Sequence, residues 1–235
     1  MPTPYQCDTT VYDCVPGGAY VRSEQSGGNF VWHGTGTILV YEGNTPYYMT
    51  HAHGFGDCDD WLWGRELRQG WGSSNSVGTI NHWDWSQDWV LVDQSGNKDG
   101  LDNRVIPDNN TTSGHVTESG VEYMRDTDIP SRKYGSRTCY SAGEVDRINT
   151  WSGPNCSPDH EDYVEEDSKY VVTKGKSKPG DSGSPNYRTF HGLNHNSMVG
   201  MIAAGDDEEW WASAAFSIND HDEYDIEFGD MDNTC

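Results

Sequence analysis

Lys178-Pro179-Gly180-Asp181-Ser182-Gly183-Ser184-Pro185 sets one serine between two glycines, directly behind an aspartate. A serine hydroxyl is a poor nucleophile near neutral pH, so this display serves chemistry only with a base within hydrogen-bond reach and donors for a developing oxyanion. Glycine at 180 lets the chain turn tightly enough for the Gly180 and Ser182 amides to aim at one spot, which a side chain there would obstruct. The octapeptide alone is equally a glycine-rich loop carrying a surface serine. What separates the two readings lies upstream.

Tyr47-Tyr48-Met49-Thr50-His51-Ala52-His53-Gly54 is an apolar run ending in histidine, and Gln87-Asp88-Trp89-Val90-Leu91-Val92 leads an aspartate into an apolar strand. An aspartate at the mouth of a buried strand is costly unless a partner awaits it. The chain order is therefore His, Asp, Ser. Asp84 competes with Asp88 for the acid, but no apolar strand follows it directly. His51 and His53 as half of a metal site is the minor reading, because no carboxylate or cysteine stands at ligand spacing; neither metal nor cofactor is expected.

These boxes, in this order, resemble the chymotrypsin-like (trypsin-like) serine peptidases, the streptogrisin-type bacterial enzymes in particular. Met49-Thr50-His51-Ala52-His53 resembles their Leu-Thr-Ala-Gly-His box, which aligns His53 with the base and leaves His51 at a small-residue position, facing away across an extended strand end. Gly17-Gly18-Ala19-Tyr20 resembles the opening of the mature domain, residues 134–145 its Gly-Ser-Thr-Thr-Gly-x-x-Ser-Gly-x-Val strand pair, and Val199-Gly200-Met201-Ile202-Ala203-Ala204-Gly205 the strand beside the specificity pocket. The resemblance covers most of residues 17–228. It implies a serine endopeptidase in which Ser182 is the nucleophile, His53 the general base and Asp88 the orienting acid. It further implies an oxyanion hole at Gly180 and Ser182, and a substrate pocket lined by Lys176, Ser177, Ala203, Ala204 and Gly205.

The sequence departs from that pattern in places. Ser184 replaces a glycine, no cysteine precedes Gly180, and no Ile-Val-Gly-Gly box supplies an N-terminus to pair with Asp181, leaving Arg132, Lys133 or Arg137 as its cation. No aspartate sits at the trypsin-type pocket base, which argues against cleavage after Arg or Lys. An acidic preference would require Lys176 or Lys178 to reach the pocket, and both are expected to keep their ammonium groups in water.

Short runs rich in β-branched and aromatic residues lie between glycine and proline turns: Phe30-Val31-Trp32, and residues 36–41, 46–50, 89–92, 170–173 and 198–203. Such runs read as strands, and many of them as a sandwich or barrel. Residues 36–50 read as a hairpin turning at Glu42-Gly43-Asn44 and delivering His53 just past a strand end. The resemblance sharpens this to an all-β fold of two six-stranded antiparallel β-barrels packed together, with the active site in the cleft between them. One structural domain is expected over residues 1–235, with barrels at 17–106 and 121–216, a link at 107–120, and a C-terminal segment 217–235 holding a short helix over 217–228.

Acidic residues number 38 against 15 Lys and Arg, a net charge of −23 spread along 235 residues. Such self-repulsion is relieved by salt, since the Debye length falls from about 10 Å at 0.1 M to about 3 Å at 1 M, so the composition reads as halophilic. The acidic stretch 159–167 reads as a solvated loop. Nucleic acid is disfavoured as a partner for want of a basic patch, and no apolar run approaches a membrane span. A monomer acting on protein or peptide substrates is expected. Six cysteines without a CxxC pair point to disulfides and a secreted or cell-surface setting, although no signal peptide opens the chain. The short separations suggest Cys7–Cys14 and Cys139–Cys156, leaving Cys58–Cys235.

Three other functions stay open on sequence: a catalytically idle domain of the same fold that binds protein, a carbohydrate-binding β-module using the crowded Trp61, Trp63, Trp71, Trp83, Trp85 and Trp89, and a Gly-Asp-Ser-Leu esterase. The last places its serine before Asp and His, the reverse of the order here.

Overall fold

Alternating and wholly apolar short runs, each stopped by a turn former, fold as strands throughout. The computed structural model describes residues 7, 10–25, 28–58, 60–70, 75–96, 99–108, 110–150, 168–190, 195–221 and 223–229. The first half holds β1 (Cys14–Gly17), β2 (Tyr20–Gln25), β3 (Asn29–Thr35), β4 (Ile38–Glu42), β5 (Thr45–His51), β6 (Glu66–Gln69), β7 (Ser76–Asp84), β8 (Trp89–Val92) and β9 (Gly100–Val105). Then follow β10 (Asn110–His115), α1 (Glu118–Asp126), β11 (Pro130–Gly135), β12 (Cys139–Thr150), β13 (Lys169–Lys174), β14 (Pro185–Phe190), β15 (His195–Gly205), β16 (Glu209–Ala214), α2 (Ala215–Asn219) and β17 (Ile226–Phe228).

Strands β11, β12, β13, β16, β15 and β14 close on themselves as a six-stranded antiparallel barrel. The other half is an eight-stranded antiparallel sheet in the order β17-β4-β5-β8-β7-β6-β2-β3. This is the all-β, two-barrel chymotrypsin-like architecture. Between the halves lies an apolar layer drawn from both: Ile38, Met49, Trp89 and Leu91 on one side, Tyr187, Met198 and Met201 on the other, closed by Ile218 and Phe228. That layer fixes how β5 and β8, which end beside His53 and Asp88, face the serine loop.

The β4–β5 hairpin forms in the expected register, with Glu42 opposite Thr45 across Gly43 and Asn44. The positive φ of 58° at Gly43 is the conformation glycine adopts without strain. Residues 107–120 contain β10, which pairs parallel to β15, and the first turn of α1. Thr117 caps that helix, its hydroxyl accepting from the Gly120 amide at 3.2 Å, and Val121 and Met124 are its buried face.

Two expectations are corrected. The C-terminal helix occupies Ala215–Asn219 and stops there; Ile226 and Phe228 instead flank exposed Glu227 with strand periodicity and extend the sheet against β4. Cys7 bonds Cys139, so neither Cys7–Cys14 nor Cys139–Cys156 exists. The reason is spatial: the Cys7 amide donates to the Ser136 carbonyl at 2.9 Å, which sets Cys7 at the β11–β12 turn beside Cys139. Cys14 and Cys58 are also disulfide-bonded, and no cysteine among the described residues is free. Cys235 and the acidic stretch 159–167 lie outside the described residues. Among those residues no helix is long and apolar enough to cross a membrane.

Leu91 is fully buried in the layer between the halves. Leu91→Ala is expected to lower the unfolding free energy by about 2–5 kcal/mol, read from urea denaturation; a loss below about 1 kcal/mol would mean that this layer does not hold the halves together.

Candidate active site

Three side chains far apart in sequence converge where the two halves meet. His53 Nε2 lies 3.0 Å from Ser182 Oγ, and His53 Nδ1 lies 2.7 Å from Asp88 Oδ2. The second oxygen of Asp88 accepts from the His53 backbone amide at 2.9 Å. Asp88 is fully buried, and these two bonds partner both of its carboxylate oxygens. Its φ of 58° is left-handed, a conformation aspartate tolerates better than most residues and one that turns its carboxylate back toward the imidazole while its carbonyl accepts from Ala52 N at 2.9 Å.

The turn that carries Asp88 is gripped by the opposite barrel. Tyr170 Oη donates to the Ser86 carbonyl at 2.8 Å, Ser213 Oγ donates to the Gln87 carbonyl at 2.5 Å, and Gln87 Nε2 donates to Ser217 Oγ at 3.2 Å. Asp84, the rival acid, is occupied otherwise: its carboxylate accepts from the Ser86 and Gln87 amides and meets His221 Nε2 at 2.8 Å.

The serine loop is gripped in the reverse sense by the first half. Thr35 N donates to the Ser182 carbonyl at 2.8 Å, Thr35 Oγ1 to the Gly180 carbonyl at 2.9 Å and Thr37 Oγ1 to the Gly183 carbonyl at 2.7 Å. Ser136 Oγ adds a second donor to Gly180 O at 2.8 Å. Gly180 and Gly183 have φ of 104° and 82°, and a Cβ at 183 would fall 2.0 Å from the Thr35 carbonyl oxygen. Glycine is required there by conformation and by contact together.

Asp181 finds its cation in Lys133. Nζ and Oδ2 are 2.7 Å apart, both side chains are 0% exposed, and the same carboxylate accepts from the amides of Arg137, Thr138 and Lys178 and from the Thr138 hydroxyl. Burial pushes the Asp181 carboxyl up, but the Lys133 ammonium and the Thr138 bonds outweigh it and hold the group below the usual carboxylate range. Burial draws the Lys133 ammonium below an ordinary lysine against the pull of Asp181.

His51 does not face away from the site. Its ring centre is 4.5 Å from that of His53, it is buried, and its Nδ1 meets Thr50 Oγ1 at 3.1 Å. Burial first, and His53 second, pull its pKa well below the ordinary histidine value, so it stands as a neutral ring. Strand β5 ends at His51 and His53 lies in the turn that follows, so strand alternation does not relate the two rings, and Gly34, Gly54 and Gly183 leave the space the His51 ring fills.

Of the other expected site residues, Lys176 and Lys178 are exposed, Ser177 and Ala203 are buried, Ala204 is half-buried and Gly205 is exposed. Ala204 and Gly205 line an open cavity of about 380 Å³ with Asp206, Glu209 and Trp211. Among the described residues the tryptophan cluster divides: Trp85 and Trp89 are core, whereas Trp61 and Trp63 are exposed, and Trp71 lies outside the described residues. Among the described residues no three His, Cys, Asp or Glu side chains gather as a metal centre would need. Thr35, Thr37, Tyr170 and Ser213 carried no signal in the sequence, because each acts through hydrogen bonds to residues more than a hundred positions away or in the other barrel.

No protein-family model matches the sequence, and no curated protein matches it. Among solved structures the fold is similar to Thermobifida fusca protease A, with a TM-score of 0.57 and 16% identity over 92% of this chain and 100% of that one. It is also similar to a glutamic acid specific serine protease that utilizes a histidine triad in substrate binding, with a TM-score of 0.55 and 16% identity over 87% of this chain and 96% of that one. At such identity the likeness is one of fold.

Lys133→Ala leaves the Asp181 carboxylate buried without its cation and is expected to cost about 3–5 kcal/mol of unfolding free energy. Chemical denaturation reads this directly. A cost under about 1 kcal/mol would show that the amide and hydroxyl donors alone suffice for Asp181.

Proposed function

We propose that the protein is a serine endopeptidase, and the observation that carries the reading is the unbroken hydrogen-bonded relay Asp88–His53–Ser182 across the junction of the two halves. Ser182 Oγ attacks the carbonyl carbon of a peptide bond while His53 Nε2 takes its proton. Asp88 holds the imidazole with Nδ1 protonated and stabilises the imidazolium that results. The carbonyl oxygen becomes an oxyanion received by the amides of Gly180 and Ser182. His53 then returns the proton to the leaving amine, the carbon–nitrogen bond breaks, and an acyl group remains on Ser182. Water, deprotonated by His53, releases it and restores the hydroxyl.

The solved structures of like fold are proteases, which supports protein or peptide as the substrate. The idle-domain alternative is disfavoured because all three side chains are present and aligned. The carbohydrate-module alternative is disfavoured because the tryptophans divide between core and surface rather than forming one platform. The disulfides support an extracellular or cell-surface setting. The charge of −23 supports a halophilic protein.

Active-site labelling, cleavage kinetics and thermal melting test these statements. A fluorophosphonate probe applied in molar potassium chloride is expected to modify Ser182 alone, with labelling lost in His53→Ala and casein cleavage reduced to a residual rate in Ser182→Ala. Asp88→Asn is expected to lower kcat by roughly 10⁴-fold while leaving the fold intact; a Ser182→Ala protein that cleaves casein at the unaltered rate would remove the proposed nucleophile. Thermal melting is expected to show a midpoint that rises between 0.1 and 2 M potassium chloride, about the range over which the Debye length contracts severalfold, and a flat midpoint would dismiss the halophilic reading.

A further inference from the structure

The peptidase reading leaves open which side chain the enzyme accepts on the acyl side of the cleaved bond, and the walls beside Ser182 bear on it. One wall is the segment 174–178, joined to the nucleophile by the bond from Asp181 N to Lys178 O at 2.9 Å. The other is the end of β15, brought alongside by the bond from Gly183 N to Ile202 O at 2.7 Å. A substrate side chain entering beside Ser182 passes between them.

These walls stand in direct contact. A Cβ added to Gly205 would lie 2.6 Å from Ser177 Cβ, so the Ser177 side chain already rests on the Gly205 backbone. Backbone bonds tie them further, from Ser177 N to Asp206 O at 2.6 Å and from Gly175 N to Glu208 O at 2.7 Å, while the tight return from β15 to β16 allows no outward flare. A flat ring held between two walls needs carbon contacts of about 3.5–4.0 Å on each face, hence about 7–8 Å from wall to wall. That width is absent between Ser177 and Gly205.

Behind the walls the space is filled. Trp210 pairs with Gly205 across the β15–β16 ladder, is 0% exposed, and packs its indole so closely on Gly175 that a Cβ there would fall 2.2 Å from Cζ3. Its ring lies 5.5 Å from Lys133 Nζ, against the same ion pair that anchors Asp181. The only lysines in the wall segments, Lys174, Lys176 and Lys178, are exposed, and residues 174–178 and 202–211 contain no histidine to receive a carboxylate. Between these walls neither a large nor an acidic side chain has a place; the open cavity at Ala204, Gly205, Asp206, Glu209 and Trp211 is lined by no residue of the 174–178 wall.

We infer that Trp210 and the Ser177–Gly205 contact close the acyl-side pocket, so that the enzyme cleaves after glycine, alanine or serine. This rests on the peptidase reading, and one experiment separates the two. Peptides differing only at the acyl-side residue are assayed with enzyme whose active fraction is titrated by the fluorophosphonate. Alanine is expected to exceed leucine, phenylalanine and glutamate in kcat/KM by on the order of 100-fold. Trp210→Ala is expected to narrow the alanine-over-leucine ratio at least roughly tenfold, as removal of several buried ring carbons would. Should that variant not fold, the profile of the unaltered enzyme and of Trp210→Leu decides. A labelled enzyme that prefers leucine, phenylalanine or glutamate overturns the inference alone; a protein that neither labels at Ser182 nor cleaves any peptide overturns the peptidase reading beneath it.

Discussion

The buried pair of Asp181 and Lys133 is the constraint from which the rest of the site is built. A carboxylate with no access to water, one residue from the proposed nucleophile, requires an equal charge at contact distance, and Lys133 supplies it from β11 of the closed barrel. Lys133, the amides of Arg137, Thr138 and Lys178, and the Thr138 hydroxyl converge on the one side chain. They set the pitch of the Gly180–Gly183 turn, and with it the direction of Ser182 Oγ. Trp210 lies against the same lysine, so the anchor of the proposed nucleophile adjoins the residue that closes the proposed pocket.

Each half of the molecule holds the chemistry borne by the other. Thr35 and Thr37, from the first half, bind the carbonyls of the serine loop, while Tyr170 and Ser213, from the second, bind the carbonyls of the turn that carries Asp88. Reciprocal bonding of this kind makes the relay a property of the junction. The apolar layer around Leu91 and Met201 holds the junction closed, and the hydrogen bonds fix its register.

The parts that could be read from sequence are those in which local residues dictate local geometry. Glycines at 180 and 183 announce left-handed turns, Gly43 announces a hairpin, and an aspartate before Trp89-Val90-Leu91-Val92 announces a buried carboxylate in need of a partner. What escaped depends on distance. Choosing Lys133 over Arg132 or Arg137 requires knowing which face of β11 turns inward, and the burial pattern places Lys133 in and half-exposes Arg132. Cys7 and Cys139 are separated by 132 residues, so nearness in sequence pointed to the wrong pairs. Helix α1 buries only Val121 and Met124, too thin a stripe to register, and β17 hides its alternation in three residues. The space for the His51 ring comes from glycines on three separate segments.

The central claim is that Ser182 and His53 act as one unit across the junction. Cleavage rates of the His53→Ala and Ser182→Ala proteins and of the double variant test it most directly, because residues that share one step lose activity once. The double variant is expected to be no slower than the slower single one. Losses that multiply would mean that the two side chains contribute independently, and the relay would not be the source of the activity.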